Sequence, residues 1–242
     1  MKLSINILTW NTIKTLRATL AVLENELEGI ESEIIIVDNG SKDGCQDLAT
    51  IKNPVNLGIS KGKNQGVDAS KGEYIMLIDG DIVPVPNSIR SLLAYMELTP
   101  DCDAIGFLPD KFCQRALTES FECHEKYCHK LDPVMEHPGH CVYFGMYRRK
   151  IFEKVRFDEA YGVGYGYEDL DQYMQMRKHG FKQWAAGINH KEGKYYHAIN
   201  SSINNKDCLG YEEYMRTSML RSQIFKKKWE RVHVVHPATL PY

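Results

Sequence analysis

Tyr74-Ile75-Met76-Leu77-Ile78-Asp79-Gly80-Asp81 runs four apolar residues, Ile75 to Ile78, straight into two carboxylates one glycine apart. Such a run predicts a buried strand of the parallel type that delivers its acids at the carboxyl end. Open α/β sheets bind ligands at that end. Two carboxylates on a tight glycine turn can share one hard divalent cation, Mg²⁺ or Mn²⁺, which takes its remaining ligands from phosphates and water. The stretch therefore points to a metal–diphosphate site. Asp-Gly is also a common turn dipeptide, so a plain solvated turn is the competing reading, and the surrounding sequence has to decide.

Upstream, Leu3 to Thr9 alternates and predicts a strand. Asn11 or Thr12 is placed to cap a helix whose apolar face is Ile13, Leu16, Leu20, Leu23 and Leu27, with Gly29 to end it. Glu33 to Val37 forms a second short strand, and strand–helix–strand predicts a right-handed crossover. The loop Asp38 to Gly44 that follows is rich in glycine and small polar groups, suited to close approach by a nucleotide, or simply to a turn before a helix. A small-residue helix over Ser60 to Ser70 opens with Lys61, Lys63 and Asn64, where amides and ammonium groups suit diphosphate oxygens.

These pieces occur in a recognisable order. Thr9-Trp10-Asn11 closes a strand, and Ile36-Val37-Asp38-Asn39-Gly40-Ser41 closes the next. Asn56-Leu57-Gly58 with Asn64-Gln65-Gly66, then Gly72-Glu73-Tyr74 and Asp79-Gly80-Asp81 complete the series. Over about the first 85 residues it resembles the nucleotide-sugar half of a family 2 glycosyltransferase of GT-A fold. The resemblance implies that Asp38 contacts the nucleobase and that Asp79 and Asp81 bind ribose and metal. It also places Thr9, Asn11, Asn39, Gly58 and Asn64 around the nucleotide sugar.

Beyond Asp81, Val83 to Ser88 is expected to be a rigid Pro-rich loop with a cap. Ile89, Leu92, Leu93 and Met96 then give a helical face, and Asp103 to Leu108 an edge or returning strand. The segment 111–141 is dense in Cys and His, including Cys113, Cys123, His124, Cys128, His129, His137, His140 and Cys141. No C-x-x-C pair is present, so free thiols and acceptor-site histidines are preferred over a structural Zn²⁺. Cys141 to Tyr147 and Phe181 to Ala186 read as further strands.

Gly162-Val163-Gly164-Tyr165-Gly166-Tyr167-Glu168-Asp169-Leu170-Asp171 places glycines before acids that open a helix. Acids in a first helical turn are often only dipole partners. Here, though, Phe157-Asp158-Glu159 followed by the Gly-Tyr-Gly-Tyr and Glu-Asp elements resembles the acceptor side of the same family. That implies Asp169 as catalytic base, Glu168 as a contact to the acceptor hydroxyl, and Tyr165 as an aromatic platform. By the same resemblance His197 is a third metal ligand. Asp207 to Arg231, aromatic and Met-rich at helical spacing, is placed to pack across the acceptor cleft, with Lys226 to Lys228 on a solvated face.

The composition bounds the remaining choices. A net charge of −2 argues against a general binder of nucleic acid or anionic membrane. The absence of a long apolar run or a leader-like start leads to an expectation of no integral membrane segment and a cytoplasmic location. Seven cysteines, an odd number, suit free thiols better than a disulfide framework. The expectation is a single α/β domain of GT-A type over 1–242. Residues 1–105 would bind the donor, and 106–242, with the Cys/His-rich insert and a C-terminal helix, the acceptor. The resemblance implies an inverting, metal-dependent transferase with Mn²⁺ or Mg²⁺, using a nucleoside diphosphate sugar, UDP-linked, and a hydroxyl acceptor. A nucleotidyltransferase, or a non-catalytic nucleotide-sugar or zinc-binding module, are the alternatives.

Overall fold

The computed structural model describes residues 1–84, 86–107, 135–136, 144–164, 166–186, 195–197 and 211–229. The Cys/His-rich segment lies outside the described residues apart from 135–136, and Tyr165 lies outside them altogether.

The strands are β1 (Leu3–Thr9), β2 (Ser32–Asp38), β3 (Ile51–Lys52), β4 (Tyr74–Asp79), β5 (Ile82–Pro84), β6 (Ala104–Phe107), β7 (Met135–Glu136), β8 (Phe144–Arg148), β9 (Gln183–Ala186) and β10 (Tyr195–His197). The α-helices are α1 (Ile13–Glu26), α2 (Cys45–Leu48), α3 (Ile59–Ala69), α4 (Ser88–Leu98), α5 (Glu168–Lys178) and α6 (Tyr211–Trp229). Short 3₁₀ turns cover Arg149–Glu153 and Glu159–Tyr161. The main sheet runs in the order β3-β2-β1-β4-β8-β6-β9-β7. Its first four strands are parallel, and β8 joins β4 and β6 antiparallel. This is the mixed, mostly parallel sheet with flanking helices that the resemblance implies.

Alternation on the strands sorts the core into two layers. Leu3, Ile5 and Ile7 of β1 and Met76 and Ile78 of β4 pack with Leu16 and Leu23 of α1 and with Leu92 and Met96 of α4. Ile75 and Leu77 face the other way, onto Val67 of α3, Phe152, Phe157 and Met176. Each such side chain removed from water contributes about 1.5–3 kcal/mol. The polar positions of β1 are satisfied on the α3 side, where Asn6 donates to Ser70 Oγ at 2.9 Å and Ser4 Oγ accepts from the Gly72 amide at 2.7 Å.

Three local expectations are corrected. Of the two readings of Asp103 to Leu108, edge or returning strand, the edge reading fails over Ala104–Phe107, because β6 has β8 on one side and β9 on the other. The Pro-rich stretch after Asp81 is not all loop, because Ile82–Pro84 pairs antiparallel with Tyr195–His197. Helix capping comes from distant carboxylates rather than from the local polar residue. Thr12 precedes α1 without a side-chain cap, and Asp43 accepts from the Ile13 amide at 2.8 Å instead. Asn87 precedes α4 at φ 67° without capping it, and buried Glu26 accepts from the Ile89 amide at 3.0 Å and from the Asn87 amide.

Gly58 brings the two halves of the chain together. At φ +90°, it lies so close to the Gly162 carbonyl that a Cβ would sit 2.3 Å from that oxygen. Gly29, at φ +74°, has nothing within 4 Å of the same position. Gly58→Ala should therefore lower the denaturant midpoint by the equivalent of about 2–4 kcal/mol, and Gly29→Ala by only about 1 kcal/mol. Equal effects in urea melts would contradict the backbone contact.

Candidate active site

The parallel register aligns three strand ends. Thr9 pairs with Asp38, and Leu8 pairs with Asp79, so β1, β2 and β4 finish at one level of the sheet. Gly80 continues that level, its amide donating to the Leu8 carbonyl at 2.8 Å. A Cβ on Gly80 would stand 2.8 Å from that carbonyl and from Thr12 Oγ1, so the Asp79–Asp81 turn is held against β1 by backbone contact and is not a free solvated turn.

Several residues expected to meet the nucleotide sugar here organise the loops around this level. Asp38, buried, accepts from the Gly40 and Ser41 amides at 3.2 and 3.1 Å, closing its loop on itself. Thr9 Oγ1 contacts Thr12 Oγ1 at 2.7 Å. Asn11 accepts from the Lys42 amide at 2.8 Å, and its own amide donates to Ser41 Oγ at 2.9 Å. Asn39 donates to Asn56 Oδ1 and accepts from Asn53 Nδ2 and the Leu57 amide, at 2.9–3.2 Å. Asn64 donates to the Phe157 carbonyl at 2.9 Å and accepts from its amide at 3.1 Å, fastening α3 to the segment before the acidic helix.

Asp79 and Asp169, ninety residues apart in sequence, share one cation. Lys63 Nζ lies 3.2 Å from Asp79 Oδ1 and 3.3 Å from Asp169 Oδ1. The lysine side chain is only 3% exposed and lies 5.4 Å from the centre of the Phe157 ring. Burial alone would lower its pKa, but Asp169, Asp79 and Glu168 more than offset this and keep it protonated. Burial pushes Asp79 up to about 6; Lys63 opposes that, while Asp169 and Asp81 add to it. Three carboxylates thus press on one ammonium, an excess of negative charge that suits a further cation.

Asp81 follows Asp79 in the same turn, and His197 is registered opposite Ile82, the residue after Asp81. Two carboxylates on one turn are a fitting partial donor set for Mn²⁺ or Mg²⁺, provided that a diphosphate and water complete the coordination. Among the described residues, no three His, Cys, Asp or Glu side chains form a ready-made metal cage.

Beside Asp169 in the chain, Glu168 is buried and its carboxylate is engaged by Arg221 Nη1 at 2.9 Å. Burial raises its pKa, Asp169 adds to the rise, and Arg221 and Lys63 oppose it. Arg221 also donates to the carbonyls of Tyr161, Gly162 and Gly166 at 3.0, 2.6 and 3.2 Å. One guanidinium of α6 therefore holds the whole glycine-rich loop in place. Two turns further along the helix, Trp229 Nε1 and Lys228 Nζ donate to fully buried Asp171 at 2.6 and 3.0 Å. Lys228 is thus paired, unlike the solvated face expected of it. Arg221 carries no sequence signal of its role, because a single arginine on an amphipathic helix looks like any other.

The sequence profile described as glycosyl transferase family 2 matches residues 4–156. An uncharacterised glycosyltransferase of Methanocaldococcus jannaschii is 24% identical over 172 residues, 60% of this chain and 55% of that protein. The chain thus spans about half the length of that relative. Among solved structures, S. aureus TarS in complex with UDP-GlcNAc superposes with a TM-score of 0.59 at 13% identity, over 98% of this chain and 69% of that one. The mannosyltransferase PcManGT from Pyrobaculum calidifontis, in complex with GDP-Man and Mn²⁺, gives 0.55 at 16% identity, over 75% and 53%. At these identities the two structures speak to the fold.

Two outcomes follow from the geometry. Arg221→Met leaves Glu168 buried without its partner and should cost about 3–5 kcal/mol; adding Glu168→Leu removes the stranded charge and should recover part of that loss in thermal melts. Asp79, raised to about 6 in the folded chain against 3.8 ordinarily, holds a proton there that the unfolded chain has released. Its contribution to stability therefore falls as pH rises from about 4 to 6. The melting temperature of Asp79→Asn in EDTA should accordingly gain on that of the wild type across that window, and a constant difference would contradict the assignment.

Proposed function

The chain belongs to glycosyl transferase family 2, and from that premise we propose that it moves a sugar from a nucleoside diphosphate donor, UDP-linked, to an acceptor hydroxyl with inversion at the anomeric carbon. The observation that carries this reading is the meeting of Asp79 and Asp169 on one lysine. It brings the acid at the end of the donor strand and the acid at the start of the acceptor helix to a single point.

In this reading Asp169, held 3.3 Å from Lys63 Nζ, accepts the proton of the attacking hydroxyl. The acceptor oxygen bonds to the anomeric carbon from the face opposite the departing group. The bond from that carbon to the diphosphate oxygen breaks, and its electron pair leaves with the diphosphate. Asp81 and Asp79, with His197 as the third ligand that the family resemblance implies, would hold a Mn²⁺ or Mg²⁺ ion, which would supply positive charge to offset that building on the diphosphate. The loops built on Asp38, Asn39 and Asn11 form the wall against which the nucleoside lies, and Thr9, Gly58 and Asn64 hold that wall to the sheet and to the acceptor loop. Glu168, held by Arg221, keeps Asp169 at its station and sets the edge against which the acceptor hydroxyl is placed; Tyr165 offers a ring to the acceptor sugar. Among the described residues no helix is long and apolar enough to cross a membrane, and we place the enzyme in the cytoplasm, on the donor's side.

A panel of UDP-, GDP- and dTDP-sugars, assayed for release of the nucleoside diphosphate with Mn²⁺ and with EDTA, tests the proposal. Metal-dependent release from one donor is expected, abolished by Asp81→Ala. Asp169→Asn should keep donor binding and lose roughly 10³-fold in turnover. An α-linked product from an α-linked donor would overturn inversion, and failure of every donor to release or to stabilise the protein thermally would overturn the reading itself.

A further inference from the structure

Lys63 is an unusual occupant for a site that is to hold a divalent cation. It is buried, its ammonium already lies between Asp79 and Asp169 at 3.2 and 3.3 Å, and the Phe157 ring lies on it. Two near-equal distances describe a cation shared between two acids rather than committed to either one. An ammonium has three donors and no acceptor, so it can be transferred from a carboxylate to any other oxyanion that arrives within reach.

Resting on the reading above, we propose that Lys63 is a built-in counter-cation that makes the site select a metal–diphosphate complex over free metal. In the donor-free protein Lys63 neutralises the acids, so a divalent ion entering alone meets a like charge a few ångströms away and gains little. A diphosphate brings its own negative charge. Lys63 can then leave Asp79 for a diphosphate oxygen while keeping Asp169, and the same lysine that opposed the bare ion now attracts the complex. Like-charge opposition between a buried ammonium and a divalent ion on the same carboxylates is large enough for a tenfold effect, the equivalent of about 1.4 kcal/mol. The position of Lys63 fits this better than a purely structural role. Fastening α3 to the acceptor half is already achieved by Asn64 through both the amide and the carbonyl of Phe157.

The test is direct binding, without turnover. Mn²⁺ affinity is measured by electron paramagnetic resonance, with and without UDP, for the wild type, Lys63→Met, Lys63→Gln and Lys63→Arg. Lys63→Met and Lys63→Gln should bind Mn²⁺ alone about tenfold more tightly than the wild type and Mn²⁺ with UDP about tenfold more weakly. Lys63→Arg, which keeps the charge, should stay near the wild type in both. Opposite signs are the signature, since a lysine needed only for folding would weaken both, and its glutamine variant would do so in step with lost thermal stability. Either that result or no change in either affinity overturns the inference. If the wild type itself binds no nucleoside diphosphate with any metal, the glycosyltransferase reading falls instead.

Discussion

The alignment of β1, β2 and β4 is the constraint on which everything else rests. Because the pairing is parallel and in register, Thr9, Asp38 and Asp79 end their strands at one level. A slip of one residue in β4 would turn Ile75 and Leu77 to the layer now filled by Met76 and Ile78, and would carry Asp79 off the rim. Packing of the two apolar layers thus fixes, at no separate cost, where the acids stand. Glycines at 58 and 80 then allow the loops to lie against backbone, which any side chain would prevent.

Much of this is legible along the chain. The βαβ opening, the strand into Asp79-Gly80-Asp81 and the acidic helix after the glycine-rich loop all come from short-range patterns, and short-range patterns are what periodicity reports. What escapes is long-range. Thr12 and Asn87 occupy cap positions, yet Asp43 and Glu26 supply the hydrogen bonds. The strand Ala104–Phe107 could be read as an edge strand, but later strands cover both of its sides. Lys63 reads as one more lysine at a helix start, and only the fold shows it between two acids. Arg221 has no pattern at all, because Tyr161, Gly162, Gly166 and Glu168, to which it donates, are spread over the loop it holds.

The site is consequently made of two kinds of residue. The carboxylates Asp79, Asp81 and Asp169 are the ones to which the proposed mechanism gives chemistry. Asn39, Asn64, Glu168 and Arg221 spend their hydrogen bonds on the protein, giving loops a fixed shape that their own short-range preferences would not. Sequence resemblance marks Asn39, Asn64 and Glu168 just as it marks the carboxylates, and passes over Arg221; only the partners distinguish the two kinds.

The clasp of α6 over the glycine-rich loop also has a consequence in time. Arg221 lies 53 residues beyond Glu168 in the chain. At synthesis rates of about 5–20 residues per second, several seconds separate the emergence of the loop from that of the side chain that holds it. During that interval the strands up to β8 can pair, while Glu168 and the loop before it lack the guanidinium that holds them. The order of translation thus delays the fixing of that loop until the helix carrying Arg221 has been made.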